Sequence, residues 1–283
     1  MLLKLENVKK DYGTFKLDCS IEVKRGQVTG LVGSNGAGKS TTFKSILGLI
    51  FPDSGDIEMF GKKLNEITPK DKEKLGVVLT EANTFDYLRA KDLVNILKAM
   101  YKSFSETDYI AKCHQYKIPL DKTIKDFSTG MKAKLKLIIA LSHDAELLIL
   151  DEPTAGLDVI MRNELLDMLR EYMEDDRRGI LISSHISTDL EGLCDDFYMI
   201  SNGEIIIHEE TDVLLSEYGI LKLTDNQYDT IDKQYIIATK REKFGYLCLT
   251  NQKDFYQENY PQVAIEKGNI DDFIILMVQG ERK

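Results

Sequence analysis

Three stretches of this 283-residue chain predict an α/β fold built as a three-layer sheet, mainly parallel around its functional edge. In the first, the apolar run Val28-Thr29-Gly30-Leu31-Val32 leads into a glycine-rich turn and then into Thr42-Phe43-Lys44-Ser45-Ile46-Leu47. That order reads as a buried strand, a tight turn and a helix. The second is Leu147-Leu148-Ile149-Leu150, four apolar residues that end on Asp151-Glu152. A strand of this composition is buried on both faces, as in parallel sheets, and its carboxyl end lies where such sheets bind ligands. In the third, helical spacing from Val159 to about Tyr172 is followed by another strand-like run, Gly179 to Ser183. Strands alternating with helices are the signature of parallel pairing.

The turn itself, Gly33-Ser34-Asn35-Gly36-Ala37-Gly38-Lys39-Ser40-Thr41, carries the G-x-x-x-x-G-K-S spacing. Glycine lets the backbone fold tightly enough to point several N–H groups inward, and the following helix adds the positive end of its dipole. The resulting concavity suits a polyphosphate. Lys39 supplies a mobile positive charge for the outer phosphates, and the Ser40 hydroxyl is placed to ligate the magnesium ion that accompanies them. At the end of the second strand, Asp151 suits the same ion through water. Glu152 is placed to orient or deprotonate an attacking water. His185 follows the strand at 179–183 on the same sheet edge, where contact with a terminal phosphate competes with a purely structural hydrogen bond.

Before the turn, Leu3, Leu5, Val8 and then Phe15, Leu17, Ile21, Val23 alternate like strands, separated by Asp11-Tyr12-Gly13 and Lys24-Arg25-Gly26. The Tyr12 ring is presented there either to cover the sheet edge or to stack on a flat adenine. After it, Asp56 to Gly61 reads as a short strand and Leu75 to Glu81 as a buried one. Apolar residues from Leu88 to Phe104 fall at helical spacing, with a second helical stretch near Asp108 to Lys117. Residues 82 to about 145 therefore form a helical insertion.

The composition, 43% hydrophobic and 30% charged, is that of an ordinary globular protein. A formal charge of −10 leaves no basic excess to displace counterions, so nucleic acid and anionic membrane surfaces are not expected partners. ATP remains compatible, because phosphate recognition is local. Cys19, Cys113, Cys194 and Cys248 form no close pairs and read as reduced structural thiols. Charge enters the N-terminus at Lys4, too early for a signal peptide, and no apolar run reaches the roughly 18 to 20 residues of a spanning helix, so a cytoplasmic chain is expected.

Phe127-Ser128-Thr129-Gly130-Met131, about twenty residues before Asp151, completes an ordered set with Tyr12, the glycine-rich turn, Thr80-Glu81, the acidic strand end, Ala155 to Asp158 and His185. Over residues 1 to about 220 this set resembles the nucleotide-binding subunits of ABC transporters. The resemblance implies a P-loop NTPase three-layer ABC ATPase fold with an N-terminal antiparallel β part, a helical subdomain and a small C-terminal α+β extension. On this reading 1–219 is the nucleotide-binding domain and 220–283 the extension. It also implies ATP and Mg2+ as cofactors, a transmembrane permease as partner, and a homodimer or heterodimer with another ABC ATPase subunit on the cytoplasmic face of the membrane. Ser128 looks like a helix N-cap with Gly130 in the first turn, an anion-receiving end. In the family this end meets the terminal phosphate held by a second subunit.

Two positions depart from the family pattern. Thr129 and Met131 replace signature residues, and Thr80-Glu81 stands where a glutamine is usual, which bears on the magnesium contact and on the link to the permease. The subgroup resembled is that of ABC-2-type drug and peptide exporters, which implies export of a small molecule or peptide. A soluble non-transport ATPase of the same superfamily, or a low-turnover regulatory subunit, are the other readings.

Overall fold

The structure, a computed structural model, describes residues 1–80, 85–184 and 190–282. Its N-terminal part is antiparallel: β1 (Leu3–Asp11) pairs with β2 (Lys16–Val23) and with β4 (Ser54–Met59), and β4 pairs with the short β5 (Lys62–Lys63). The alternation read from the sequence is met by burial, with Leu17, Cys19, Ile21 and Val23 of β2 all inward.

Between them in the chain lie β3 (Val28–Val32) and α1 (Lys39–Ile46), joined by the glycine-rich turn. Around β3 the sheet is parallel. It pairs with β8 (Gly179–Ser184) on one side and β9 (Asp196–Ser201) on the other. Next to β8 runs β7 (Leu147–Asp151), and next to that β6 (Leu75–Val78), again parallel. β10 (Glu204–Glu210) turns back along β9 and meets β2, which joins the two parts into one ten-stranded sheet ordered β5-β4-β1-β2-β10-β9-β3-β8-β7-β6. Every residue of β7 is buried, as its continuous apolar run requires, and each such side chain contributes about 1.5–3 kcal/mol by leaving water. β6 is the edge strand, which is why Val77 is exposed.

Helices cover the sheet. The short α2 (Pro69–Lys72) precedes β6, with Thr68 as its cap. The insertion contains α3 (Leu93–Met100), α4 (Glu106–Gln115) and α5 (Thr129–Leu141). The periodic stretch from Leu88 to Phe104 is thus helical in its middle part alone. Arg89 and Asp92 fold back on each other in a capping box before the helix, and Ser105 caps the next one just after Phe104. These local side-chain bonds outcompete continuation of the pattern. α6 (Val159–Tyr172) starts at the Asp158 cap, and α7 (Thr211–Glu217) follows β10.

Residues from Gly219 onward make a second, five-stranded sheet. Its strands β11 (Gly219–Leu223), β12 (Ile236–Glu242), β13 (Gly245–Thr250), β14 (Ala264–Glu266) and β15 (Glu281–Arg282) are ordered β14-β11-β13-β12-β15. α8 (Asp225–Thr230) and α9 (Lys253–Asn259) lie between strands, and α10 (Ile270–Gln279) packs on β12 and β13. Ile270, Phe273, Leu276 and Met277 of α10 join the same apolar core as Leu190, Cys194 and Phe197. The Ile270 N–H donates to Glu191 Oε1 at 3.0 Å, which ties the second sheet to the first.

All four cysteines are buried and unpaired by disulfides. Loss of hydration pushes Cys19, Cys113 and Cys248 up to about 11, so they remain thiols at neutral pH and act as small apolar fillers. No described helix is long and apolar enough to cross a membrane.

Candidate functional site

The site is assembled at the carboxyl ends of β3, β7 and β8. Leaving β3, the chain passes through the turn and reaches Gly38, whose φ of +119° is a conformation that side-chain-bearing residues rarely adopt. Gly38 is the N-cap of α1 and brings no side chain to that end, so the helix N-terminus faces the concavity with backbone N–H groups alone. Lys39 follows. It is buried, and its Nζ donates to Gly33 O at 2.7 Å and Ser34 O at 3.4 Å while lying 3.4 Å from Glu152 Oε1. Ser40 Oγ donates to Asp151 Oδ2 at 3.1 Å.

The acids are held from behind. Ser183, in register with Asp151 on the neighbouring β8, is fully buried; its hydroxyl donates to Asp151 Oδ1 at 2.8 Å and accepts the Glu152 N–H at 3.0 Å. Glu152 adopts φ +51°, left-handed for a residue with a side chain. Such a conformation costs about 1–3 kcal/mol and persists only where the surroundings fix it. Here the Ser183 bond does part of that fixing. From the other side Thr80 Oγ1 donates to the Asp151 carbonyl at 2.9 Å.

In front of Ser183, the turn, Thr80 and the two acids line a cavity of about 710 Å³. Of the residues predicted from sequence, Ser34, Asn35, Gly36, Gly38, Lys39, Ser40, Thr41, Asp151 and Glu152 line it directly, and Gly33 and Ala37 complete the turn that bounds it. Tyr12 is 47% exposed and stands outside the lining, its ring centroid 6.4 Å from that of Phe15, which is part of the wall. Ser128 and Gly130 are elsewhere in the chain. Ser128 caps α5 as expected, its hydroxyl accepting the Met131 N–H at 3.2 Å, and this helix end does not line the cavity. His185 lies outside the described residues.

Sequence reasoning gave no role to Phe15, Lys44 or Ser183, although the first two line the cavity and the third holds both acids. The signal for Ser183 was present: Ser183-Ser184 ends an otherwise apolar strand at the same level as Asp151.

The donor set indicates what the cavity can hold. Lys39, with Lys44 also on the wall, a helix N-terminus and inward backbone N–H groups suit a chain of phosphates. A hydroxyl and a carboxylate 3.1 Å apart are hard oxygen ligands of the type that suit a small divalent cation beside those phosphates. A carboxylate one residue further on is placed to accept a proton.

Comparison with known proteins agrees with this chemistry. The ABC transporter family profile matches residues 17–155. The chain is 35% identical over 254 residues to the linearmycin resistance ATP-binding protein LnrL of Bacillus subtilis (strain 168), covering 84% of this chain and 79% of that one. It is 36% identical over 215 residues to the lantibiotic transport ATP-binding protein SrtF of Streptococcus pyogenes, covering 75% and 92%. A solved structure described as the ATP binding subunit of an ABC transporter superposes with a TM-score of 0.68 at 28% identity, over 76% of this chain and 92% of that one. Sequence shared to this extent, over a fold of the same kind, places the chain in the ABC transporter family as one of its ATP-binding, ATP-hydrolysing subunits.

Proposed function

We propose that the chain powers export of a small molecule or peptide through a separately encoded permease, as a Mg2+-dependent ATPase acting in pairs at the cytoplasmic face of the membrane. The observation that carries the reading is the convergence of Lys39, Ser40, Asp151 and Glu152 on one cavity at the strand ends. The names of LnrL and SrtF, which concern antibiotic resistance and lantibiotic transport, support the cargo class.

In this reading the triphosphate lies along the turn, where Lys39 exchanges its carbonyl partners for phosphate oxygens. Ser40 and Asp151 hold the magnesium ion, which neutralises phosphate charge when bound. Glu152 takes a proton from the water attacking the terminal phosphorus as the bond to the ADP oxygen breaks, giving ADP and inorganic phosphate. His185 is assigned to the terminal phosphate and Tyr12 to the adenine. The Ser128–Gly130 helix end is exposed at Ser128 and apart from its own chain's cavity, an arrangement that suits the terminal phosphate bound by a second copy or a related subunit. Residues 1–219 form the ATPase unit, and 220–283 an appendage to it.

The test is affinity capture of the tagged chain from detergent-solubilised membranes of its own cells, combined with phosphate-release assays. Co-isolation of one polytopic membrane protein that stimulates release supports the proposal. Turnover by the purified chain with no membrane protein retained overturns the transport part.

A further inference from the structure

The N-terminal ends of α5 and α6 are interlocked, and the lock sits between the two halves of the proposed ATP site. Gly130, in the first turn of α5, is buried against Met161, in the first turn of α6. A Cβ added at Gly130 would fall 1.8 Å from Met161 Sδ and 3.1 Å from its Cε. The Met161 backbone is held in place, its N–H donating to Asp158 Oδ1 at 2.9 Å. One turn further along each helix, Lys134 of α5 forms an ion pair with Glu164 of α6. The Lys134 side chain is only 9% exposed, so this ammonium has little water to fall back on, whereas Glu164 is 43% exposed. Two contacts at successive turns fix both the approach of the helices and their register.

Chain connectivity gives the lock its meaning. α6 is entered through residues 152–158, which leave the acidic strand end directly, so one short connection joins Glu152 to the α6 N-terminus. α5 begins at Ser128, the end assigned above to the phosphate of the other copy. We propose that Met161 and the Lys134–Glu164 pair are positioning residues that couple the two ATP sites of the paired form: through them, closure around one nucleotide sets the Ser128–Gly130 end that completes the second site. The inference rests on the two-copy reading of the function. It adds to that reading the side chains through which the sites communicate.

The test uses the full-length chain and four variants: Lys134→Gln, Glu164→Gln, the exchange Lys134→Glu/Glu164→Lys, and Met161→Ala. Three quantities are read: affinity for a fluorescent ATP analogue under conditions that keep the chain monomeric, the ATP dependence of phosphate release at concentrations where it pairs, and the unfolding midpoint. None of the substituted residues lines the cavity, so monomer affinity stays within about twofold of wild type. Both single charge variants and Met161→Ala lower kcat by about tenfold, as loss of a typical coupling between sites would, and bring the Hill coefficient from above one to one. The charge exchange restores at least half of the lost cooperativity, and Met161→Ala loses it with an unfolding midpoint no lower than that of the exchange variant, a pattern that simple destabilisation of the helices cannot give.

Wild-type cooperativity in Lys134→Gln and Glu164→Gln overturns the inference while leaving the paired ATPase intact. So does a loss of kcat that tracks the unfolding midpoint and is not recovered by the exchange. A wild-type chain that hydrolyses ATP as a monomer with a Hill coefficient of one, by contrast, removes the two-copy reading and the inference together.

Discussion

Replacing Ser183 with alanine probes the site through a residue that touches no nucleotide. Ser183 is fully buried on β8, between β7 and β3, and its hydroxyl makes two bonds at once, to Asp151 Oδ1 at 2.8 Å and from the Glu152 N–H at 3.0 Å. A hydrogen bond to a charged acceptor contributes about 1.5–3 kcal/mol, and a buried N–H left without a partner costs about 1–3 kcal/mol. The two effects share one atom and the Asp151 carboxylate keeps Ser40, so Ser183→Ala should destabilise the fold by about 2–4 kcal/mol rather than the full sum. The same loss removes part of what holds Glu152 in its left-handed conformation, φ +51°, and so loosens the proton acceptor. Hydrogen-bond partners of metal-ligating residues, the role proposed for Asp151, are typically worth about 10–100-fold in metal affinity or activity, and a fall of that size in kcat is expected here. Urea unfolding and steady-state phosphate release measure the two effects. Stability within about 0.5 kcal/mol of wild type together with unchanged kcat would refute the assignment of Ser183 as the anchor of both acids.

Lys39→Ala should abolish nucleotide binding in a fluorescent-analogue titration, a loss of at least about 100-fold, since it deletes the buried cation that donates to the turn carbonyls and lies 3.4 Å from Glu152. Glu152→Gln should bind ATP normally, release no phosphate, and prolong the paired form, as followed by sedimentation; unchanged phosphate release would remove Glu152 as the base. Stability should fall with acid through His143, whose ring is buried, stacked on Tyr101 at 3.9 Å between centroids, and donates from Nε2 to Leu75 O at 2.9 Å. Burial pushes its pKa below the ordinary imidazole value, so the unfolded chain binds the proton more tightly; this contribution is present above pH ~6.5 and lost as pH falls through and below it. The drop in urea midpoint between pH 7.5 and 5.5 should therefore be smaller in His143→Gln than in wild type.

Much of the site was legible because its residues cluster in sequence. The turn from Gly33 to Thr41 carries its own backbone chemistry, the strand 147–151 announces its burial by composition, and the Ser128 cap is a local bond. What was not legible depends on neighbours brought together by the sheet. Ser183 reaches Asp151 only because β7 and β8 pair in that register, and Thr80 reaches the Asp151 carbonyl from the strand on the far side. Phe15 enters the cavity wall from the β1–β2 turn, where Tyr12 looked the better aromatic. The helix at 93–100 is shorter than its apolar period suggested because Arg89, Asp92 and Ser105 make local bonds that stop and restart it. The slot between Gly130 and Met161 has no sequence signal, since it exists only once α5 and α6 are packed.

The most direct test is a structure of the Glu152→Gln chain with ATP and magnesium. The account predicts two copies arranged head to tail, triphosphate oxygens within hydrogen-bond distance of Lys39 Nζ in one, and the other's Ser128 hydroxyl on the terminal phosphate. Triphosphate bound away from Lys39, or a filled cavity that no Ser128 approaches, would contradict it.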